Sequence, residues 1–344
     1  MEYLKLQFAK LDFQNPKHLA LVASGSITLG YVLYKTIQTF QSQSFKQTKI
    51  RANLIELLQA FNEDNIEKED LIITLKTLCD QSAFTEIQEK IRSLGYLPKI
   101  IQVIKYPDLD VQCQVALLIN NLAMNVQNQT VLKDSIPQLI QILCKNVIKD
   151  ETIKLFTAVL CALTNLTALD ESHSTLLPKM IVFCELLTQC EIVQVKLQVL
   201  KIFVNISTNK RNCENDFELA AMMIRSVECF LTIGEEERYL LRAVCCCANV
   251  LEAIHSRWKH DTLPHISPSE FVNQKLHDNL IKLSTHPNED IHNHAMRALR
   301  ALRPPPIATS SPHQEYVVDK EGSNNNGSLM GAVDNLDLLD VLKI

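Results

Sequence analysis

The chain reads as all-α: a right-handed solenoid of stacked helical repeats preceded by one transmembrane helix. Three observations predict it. An Asn followed by an aliphatic residue recurs as Asn121-Leu122, Asn165-Leu166, Asn205-Ile206 and Asn249-Val250, at steps of 44, 40 and 44 residues. A second beat, Leu97-Pro98-Lys99, Ile136-Pro137-Gln138 and Leu177-Pro178-Lys179, sets prolines 39 and 41 residues apart, each opening an apolar run. Glycine supplies the third: seven occur in 344 residues, and between Tyr31 and Glu321 only Gly95 and Gly234. Sheets and phosphate-binding loops use glycine for bulges, tight turns and positive φ, so a stretch this poor in it is helical. Such an array offers a long groove rather than an enclosed catalytic crevice.

Residues 1–18 form an N-terminal segment. From Leu19 to Tyr34 run sixteen residues without a charge, LALVASGSITLGYVLY. As a helix they span about 24 Å, against a hydrocarbon core of about 30 Å. Lys17 and Lys35 flank the run and can snorkel to the interface, so residues 19–35 are expected to be a membrane anchor. A cleaved secretory signal and a buried solenoid helix are the rivals. Unpaired cysteines downstream count against export, and the segment lies outside the repeat phase. Residues 36–49 are a basic linker; Lys35, Lys46, Lys49 and Arg51 precede the first acid after the anchor, Glu56, which favours a cytosolic body. A short anchor with this flank suits the mitochondrial outer membrane, with the endoplasmic reticulum as the other choice. Ser26 and Gly30, four apart on one face, would let two anchors pack into a homo-oligomer.

Residues 50–303 should hold five to six repeats. The first, irregular and capping, takes helices at 50–61, 66–80 and 84–94. Next come 96–105, 110–124 and 127–134, then 137–147, 151–168 and 171–177. Helices at 178–189, 191–207, 215–232, 235–255, 268–285 and 289–302 complete the array. The prolines fall in first turns, where a missing N–H costs nothing. The long helices are apolar at i, i+4, i+8 and i+11, as in Leu155, Val159, Leu163 and Leu166. Glu235-Glu236-Glu237 opens a helix, where acids favour the positive dipole end. Residues 256–267 read as an insertion carrying Trp258, the only tryptophan and a candidate interface anchor. Residues 304–344 read as a disordered tail, Pro304-Pro305-Pro306 and then Ser, Asn and Gly, ending in the Leu/Asp motif DNLDLLDVLKI. That motif would dock on another protein or fold back on the solenoid.

Charge and cysteine exclude several classes. Residues 1–51 carry seven basic groups against Glu2 and Asp12, and residues 304–344 two against six acids. With a net charge of −5 overall, the body between them is acidic and gives no footprint for nucleic acid. Eleven cysteines, three of them consecutive at 245–247, have neither a disulfide framework nor zinc spacing. His255, His260 and His265 around Trp258 are too weak a pattern to imply a metal. No catalytic constellation, cofactor loop or metal motif is found, so no enzyme activity and no cofactor are expected.

The candidate partner-binding residues are the Asn ladder, Asn121, Asn165, Asn205 and Asn249. Each amide would bond the backbone of an extended peptide, or tie down the loop at its own helix end. Four bonds at about 0.5–1.5 kcal/mol each would set register without supplying micromolar affinity alone. Nuclear-import grooves place a Trp four residues before the Asn; here those places hold Leu117, Cys161, Lys201 and Cys245.

Periods of about 40–47 residues built from helices mark armadillo and HEAT solenoids. With repeat and anchor together, the chain resembles the mitochondrial armadillo family, meaning the X-linked armadillo group and its relatives. ALLINNLAMNVQNQ (116–129), ALTNLTALDESH (162–173) and VQVKLQVLKIFVNISTN (193–209) carry the repeat resemblance. LDFQNPKHLALVASGSITLGYVLYKTI (11–37) and HPNEDIHNHAMRALRAL (286–302) extend it over most of residues 1–303. The resemblance implies a non-enzymatic scaffold in the mitochondrial outer membrane with its body facing the cytosol. Its partners would be mitochondrial surface proteins or trafficking adaptors, including mitochondrial Rho GTPases and kinesin adaptors. It would organise or distribute mitochondria, including those of the sperm mitochondrial sheath. The alternative is a soluble adaptor of cytoplasm or nucleus that binds peptide segments of other proteins.

Overall fold

The computed structural model describes residues 54–62, 66–260 and 271–303, excepting the side chains of 62 and 258–260. The expected anchor with Lys17 and Lys35, the basic linker, the tail and the side chain of Trp258 lie outside the described residues. Everything described falls within one compact unit, Met1–Pro304. No helix among the described residues is long and apolar enough to cross a membrane.

The helices follow in order. α1 (54–59) runs into a 3-10 turn at Ala60–Asn62, followed by α2 Lys68–Gln81, α3 Thr85–Ser93 and α4 Leu97–Val103. Then come α5 Leu109–Ala123, α6 Val126–Leu132, α7 Ile136–Lys145, α8 Ile153–Leu166 and the short α9 His173–Leu176. α10 Met180–Gln189, α11 Val193–Thr208, α12 Lys210–Glu214, α13 Phe217–Val227, α14 Glu237–His260, α15 Gln274–Leu283 and α16 Glu289–Ala301 finish the series. No strand occurs among the described residues.

Local chemistry starts these helices where they start. Asp108 accepts from the N–H groups of Asp110 and Val111 at 3.0 and 3.1 Å; Asn125, Asn209, Asp216, Asn273 and Asn288 cap their own helices likewise. Pro98 and Pro137 sit in the first turns of α4 and α7, and Pro178 opens the 3-10 turn before α10.

Two layers result. The long helices α2, α5, α8, α11, α14 and α16 form a row in which each packs on the next. Helices α4, α7, α10, α13 and α15 form a second layer, each against the long helix that follows it. Between them Phe156, Phe183 and Phe203 are fully buried with Leu118, Leu163 and Ile206. Each large apolar side chain contributes about 1.5–3 kcal/mol by leaving water, and the continuous core passes from repeat to repeat.

The structure departs from expectation in three main places; in one, the helix expected over 268–285 begins only at Gln274, capped by Asn273. Between 208 and 217 a five-residue helix, α12, had no forecast: KRNCE buries only Cys213, too little for a periodic signal. Residues 256–260, expected in an insertion, instead continue α14 to His260, which puts the Trp258 backbone on a helix. Arg257 holds these last turns. Its guanidinium lies 4.8 Å from the Phe217 ring centroid and donates to the Glu214 carbonyl.

Candidate protein-binding face

Every Asn of the ladder projects from a long helix and reaches back to the long helix before it. Asn121 Nδ2 on α5 donates to the Cys79 carbonyl of α2 at 3.0 Å. Asn165 on α8 donates to the Asn120 carbonyl at 3.1 Å and to its side-chain oxygen at 3.0 Å. Asn205 on α11 donates to the Thr164 carbonyl at 2.9 Å and to Thr167 Oγ1 at 3.1 Å. Asn249 on α14 reaches Ser207 Oγ at 3.2 Å. The carbonyls of Cys79, Asn120 and Thr164 lie in last helical turns, among the acceptors that lack a backbone N–H partner in their own helix, though Ser82 Oγ and Thr167 Oγ1 also donate to Cys79 and Thr164. The amide N–H groups therefore cap one repeat from the next. They do not tie down the loop at their own helix end. Their Oδ1 atoms remain as acceptors, and Asn249 Oδ1 takes a bond from Arg297 Nη2 at 2.9 Å.

A second set of caps follows about six residues behind each helix end. Gln88 donates to the Ser82 carbonyl at 2.8 Å, Asn128 to Leu122 at 3.0 Å and Gln129 to Ala123 at 2.8 Å. His173 Nε2 meets the Thr167 carbonyl at 2.8 Å, and Asn212 donates to Ile206 at 2.8 Å. Asn212 Nδ2 also lies 2.9 Å from His173 Nδ1, so the neutral ring with its proton on Nε2 satisfies both contacts. These residues explain the scarcity of glycine. The described positive-φ glycines are Gly95, just past α3, and Gly234, before α14; no long helix of the row ends on one. Side-chain amides take over that capping work. Reading the sequence for function passed these residues over, yet Asn128, His173 and Asn212 fall seven or eight residues after a ladder Asn.

The last link has no Asn. Arg297 on α16 makes a bidentate pair with Glu252, Nε to Oε1 at 2.9 Å and Nη2 to Oε2 at 2.8 Å, while also holding Asn249. Burial pushes the Glu252 carboxyl up, but the hydrogen bond and charge of Arg297, with Lys210 and His294, hold it below its ordinary value. Burial and Arg297 together push His294 down, matching the 2.8 Å contact in which Arg297 Nη1 faces His294 Nδ1.

The ladder marks the side of the row turned away from the second layer. Leu117, Cys161, Lys201 and Cys245, four residues before each Asn, are partly exposed, whereas their neighbours Leu118, Ala162, Ile202 and Cys246 are buried. Thiols near this face are protonated at neutral pH. Burial pushes both Cys79 and Cys161 up to about 11 and raises Cys113 and Cys245, so they pack rather than attack. Among the described residues no group of His, Cys, Asp and Glu could hold a metal ion. An open, largely apolar cleft of about 600 Å³ beside Phe217, Met222, Arg225 and Phe271 lies on the second layer, away from the ladder.

Solved structures share this architecture. A designed armadillo repeat protein, YIII(Dq)4CqI, superposes with a TM-score of 0.58 at 19% identity over 73% of this chain and 100% of that one. Another, YIII(Dq.V1)4CPAF, was solved in complex with peptide (KR)4; it gives 0.57 at 18% identity, over 73% and 99% of the two chains. At these identities the likeness concerns the fold. Solenoids of this kind are typically non-enzymatic binding scaffolds. The family model described as armadillo-like matches residues 46–273, more than half of the chain, and the protein belongs to that family.

Proposed function

We propose that this armadillo protein is a scaffold of the mitochondrial outer membrane, held there by residues 19–35, whose long-helix face recruits other proteins to organise or distribute mitochondria. One observation carries the binding part. Six long helices stack in one row, and on the four that carry a ladder Asn the side chain four residues before it stays partly exposed while the fold is secured beneath. An extended segment of a partner can lie across it. The ladder amides spend their N–H groups within the fold, so what they offer a partner is the acceptor oxygen, at Asn165 and Asn205 above all. One similar solved structure, a designed armadillo repeat protein, holds a (KR)4 peptide, which supports peptide capture as the mode of binding.

The membrane part rests on the uncharged run Leu19–Tyr34 between Lys17 and Lys35, and on resemblance to the mitochondrial armadillo group. Within that group the N-terminal layout and the closing segment resemble those of armadillo repeat-containing protein 12. Organisation of the sperm mitochondrial sheath is accordingly the most specific form of the reading. Anchoring raises local concentration, so weak contacts along the face become adequate through avidity. Trp258 is proposed as a further anchor for partners, and Ser26 with Gly30 as the place where two copies would pair.

Fractionation tests it. The full chain should stay with mitochondrial membranes through alkaline carbonate, and a variant lacking residues 1–35 should appear in the cytosol. Release of the full chain by carbonate would favour a soluble adaptor, and unchanged mitochondrial retention of the truncated chain would remove residues 19–35 as the anchor.

A further inference from the structure

The second layer carries an apolar surface that the ladder does not use. Its helix α7 turns Gln138, Gln141 and Lys145 outward, as a surface helix should. α13 differs. It buries Leu219, Ala220, Met223, Ile224 and Val227, which leaves Phe217, Ala221 and Met222 half-buried on its outward side. These three side chains floor the cleft of about 600 Å³. Phe271 stands against Phe217 with ring centroids 6.2 Å apart, and Leu177, in the turn before α10, lines the other side.

Charge lies at both ends of this floor. Asp216 and Glu218 line the cleft where α13 starts, and Arg225 lines it seven residues after Glu218, about 10 Å along the helix. Between them the lining is apolar. An extended chain crossing it would leave backbone N–H and C=O groups away from water without partners. A helix satisfies those groups within itself and presents only side chains. Its residues seven apart share a face at about the same 10 Å, so a base and an acid at that spacing meet Glu218 and Arg225 together. An acyl chain fits less well. Its anionic head could pair with Arg225, but its tail would then run onto Asp216 and Glu218 and desolvate them.

We infer that this cleft takes a short amphipathic helix of a partner protein, apolar between a basic and an acidic residue seven positions apart. The site is separate from the ladder face and does not depend on that face binding peptides.

The full chain in mild detergent is titrated with a fluorescent, Ala-rich helical peptide of about 15 residues, bearing Lys and Glu seven apart with two Leu between them. Competing probes are a version broken by two prolines, a version with Lys at both charged positions, and dodecanoate. The Lys–Glu helix should bind, and the proline version should bind about tenfold more weakly or worse. Met222→Glu puts a charge on the apolar floor and should weaken the helix about tenfold. Arg225→Glu, at an exposed residue, should weaken it about three- to tenfold while tightening the all-Lys version. Should Met222→Glu fail to fold by circular dichroism, Arg225→Glu carries the test. Lys154→Glu on α8 changes net charge as Arg225→Glu does and should leave binding within about twofold. Equal binding of the proline version overturns the helical mode. Tighter binding of dodecanoate, lost in Arg225→Glu, overturns the choice of a protein partner. Helix binding unchanged by either substitution overturns the cleft as the site, and binding of none of the probes overturns the inference altogether.

Discussion

The α2–α5 end and the α8–α14 end of the long-helix row are joined by the same bond and charged in opposite senses. At both ends a ladder amide grips a carbonyl in the last turn of the previous long helix, at 3.0 Å from Asn121 and 2.9 Å from Asn205. One to three turns earlier, the same face bears carboxylates at one end and cations at the other. The difference teaches that scaffold and surface are separate layers of one helix. The Asn sits in the seam between helices, where its bond ties one repeat to the carbonyl of the repeat before it. Charged residues of the earlier turns, such as Glu69, Lys76, Asp110 and Lys154, are exposed to solvent.

Replacing Asn205 by Leu breaks what the ends share and should have the largest effect. It removes two bonds and leaves the Thr164 carbonyl only its contact from Thr167 Oγ1, costing about 1–2 kcal/mol. Urea titration should show an earlier midpoint, and a change under 0.5 kcal/mol would reduce the ladder to decoration. His173→Ala should follow, at about 2 kcal/mol, by freeing the Thr167 carbonyl and Asn212 together. A double-mutant cycle with Asn212→Ala should give a clearly non-additive result, since the two share one bond.

The Arg297 link differs from the Asn links by titrating. His294 and Glu252 have folded values below their ordinary 6.5 and 4.5, so the stability they contribute is present above those values and lost as pH falls through the depressed ones. Hydrogen exchange should show α16 losing protection first on acidification, starting below about pH 6.5, while α2–α5 amides hold. Arg297→Met should release α16 already at neutral pH; simultaneous loss of protection across the whole row would contradict a local link.

The smallest contrast concerns thiols. Cys79 lies beside Asp80 and Cys161 beside Lys201, yet burial dominates both and carries each to about 11. These folded values exceed the unfolded one of 9.0, so the associated stability is present below pH 9 and lost as pH rises through about 11. Alkylation at pH 8 should modify exposed Cys144 well before either. Equal rates for all three would contradict the burial.

Much of the solenoid was legible because its repeats are periodic. The apolar spacing from Leu155 to Leu166 and the first-turn prolines placed helices within a few residues of where they stand. α12 was illegible because one buried cysteine makes no period, and the extension of α14 because Arg257 is held by Phe217 and Glu214, some forty residues away in sequence. Among candidate residues, the four Asn were visible by recurrence. What they touch was not: a donor on one helix and its acceptor 41 to 45 residues earlier are joined by packing alone.

By itself the sequence determined that the body is helical, repeated and short of glycine, because helix periodicity and backbone freedom are properties of neighbouring residues. Only the tertiary structure decided which side of each helix became seam and which became surface. That choice depends on how one repeat lies on the next, and it turned the Asn ladder into staples and left Leu117, Cys161, Lys201 and Cys245 partly exposed beside it.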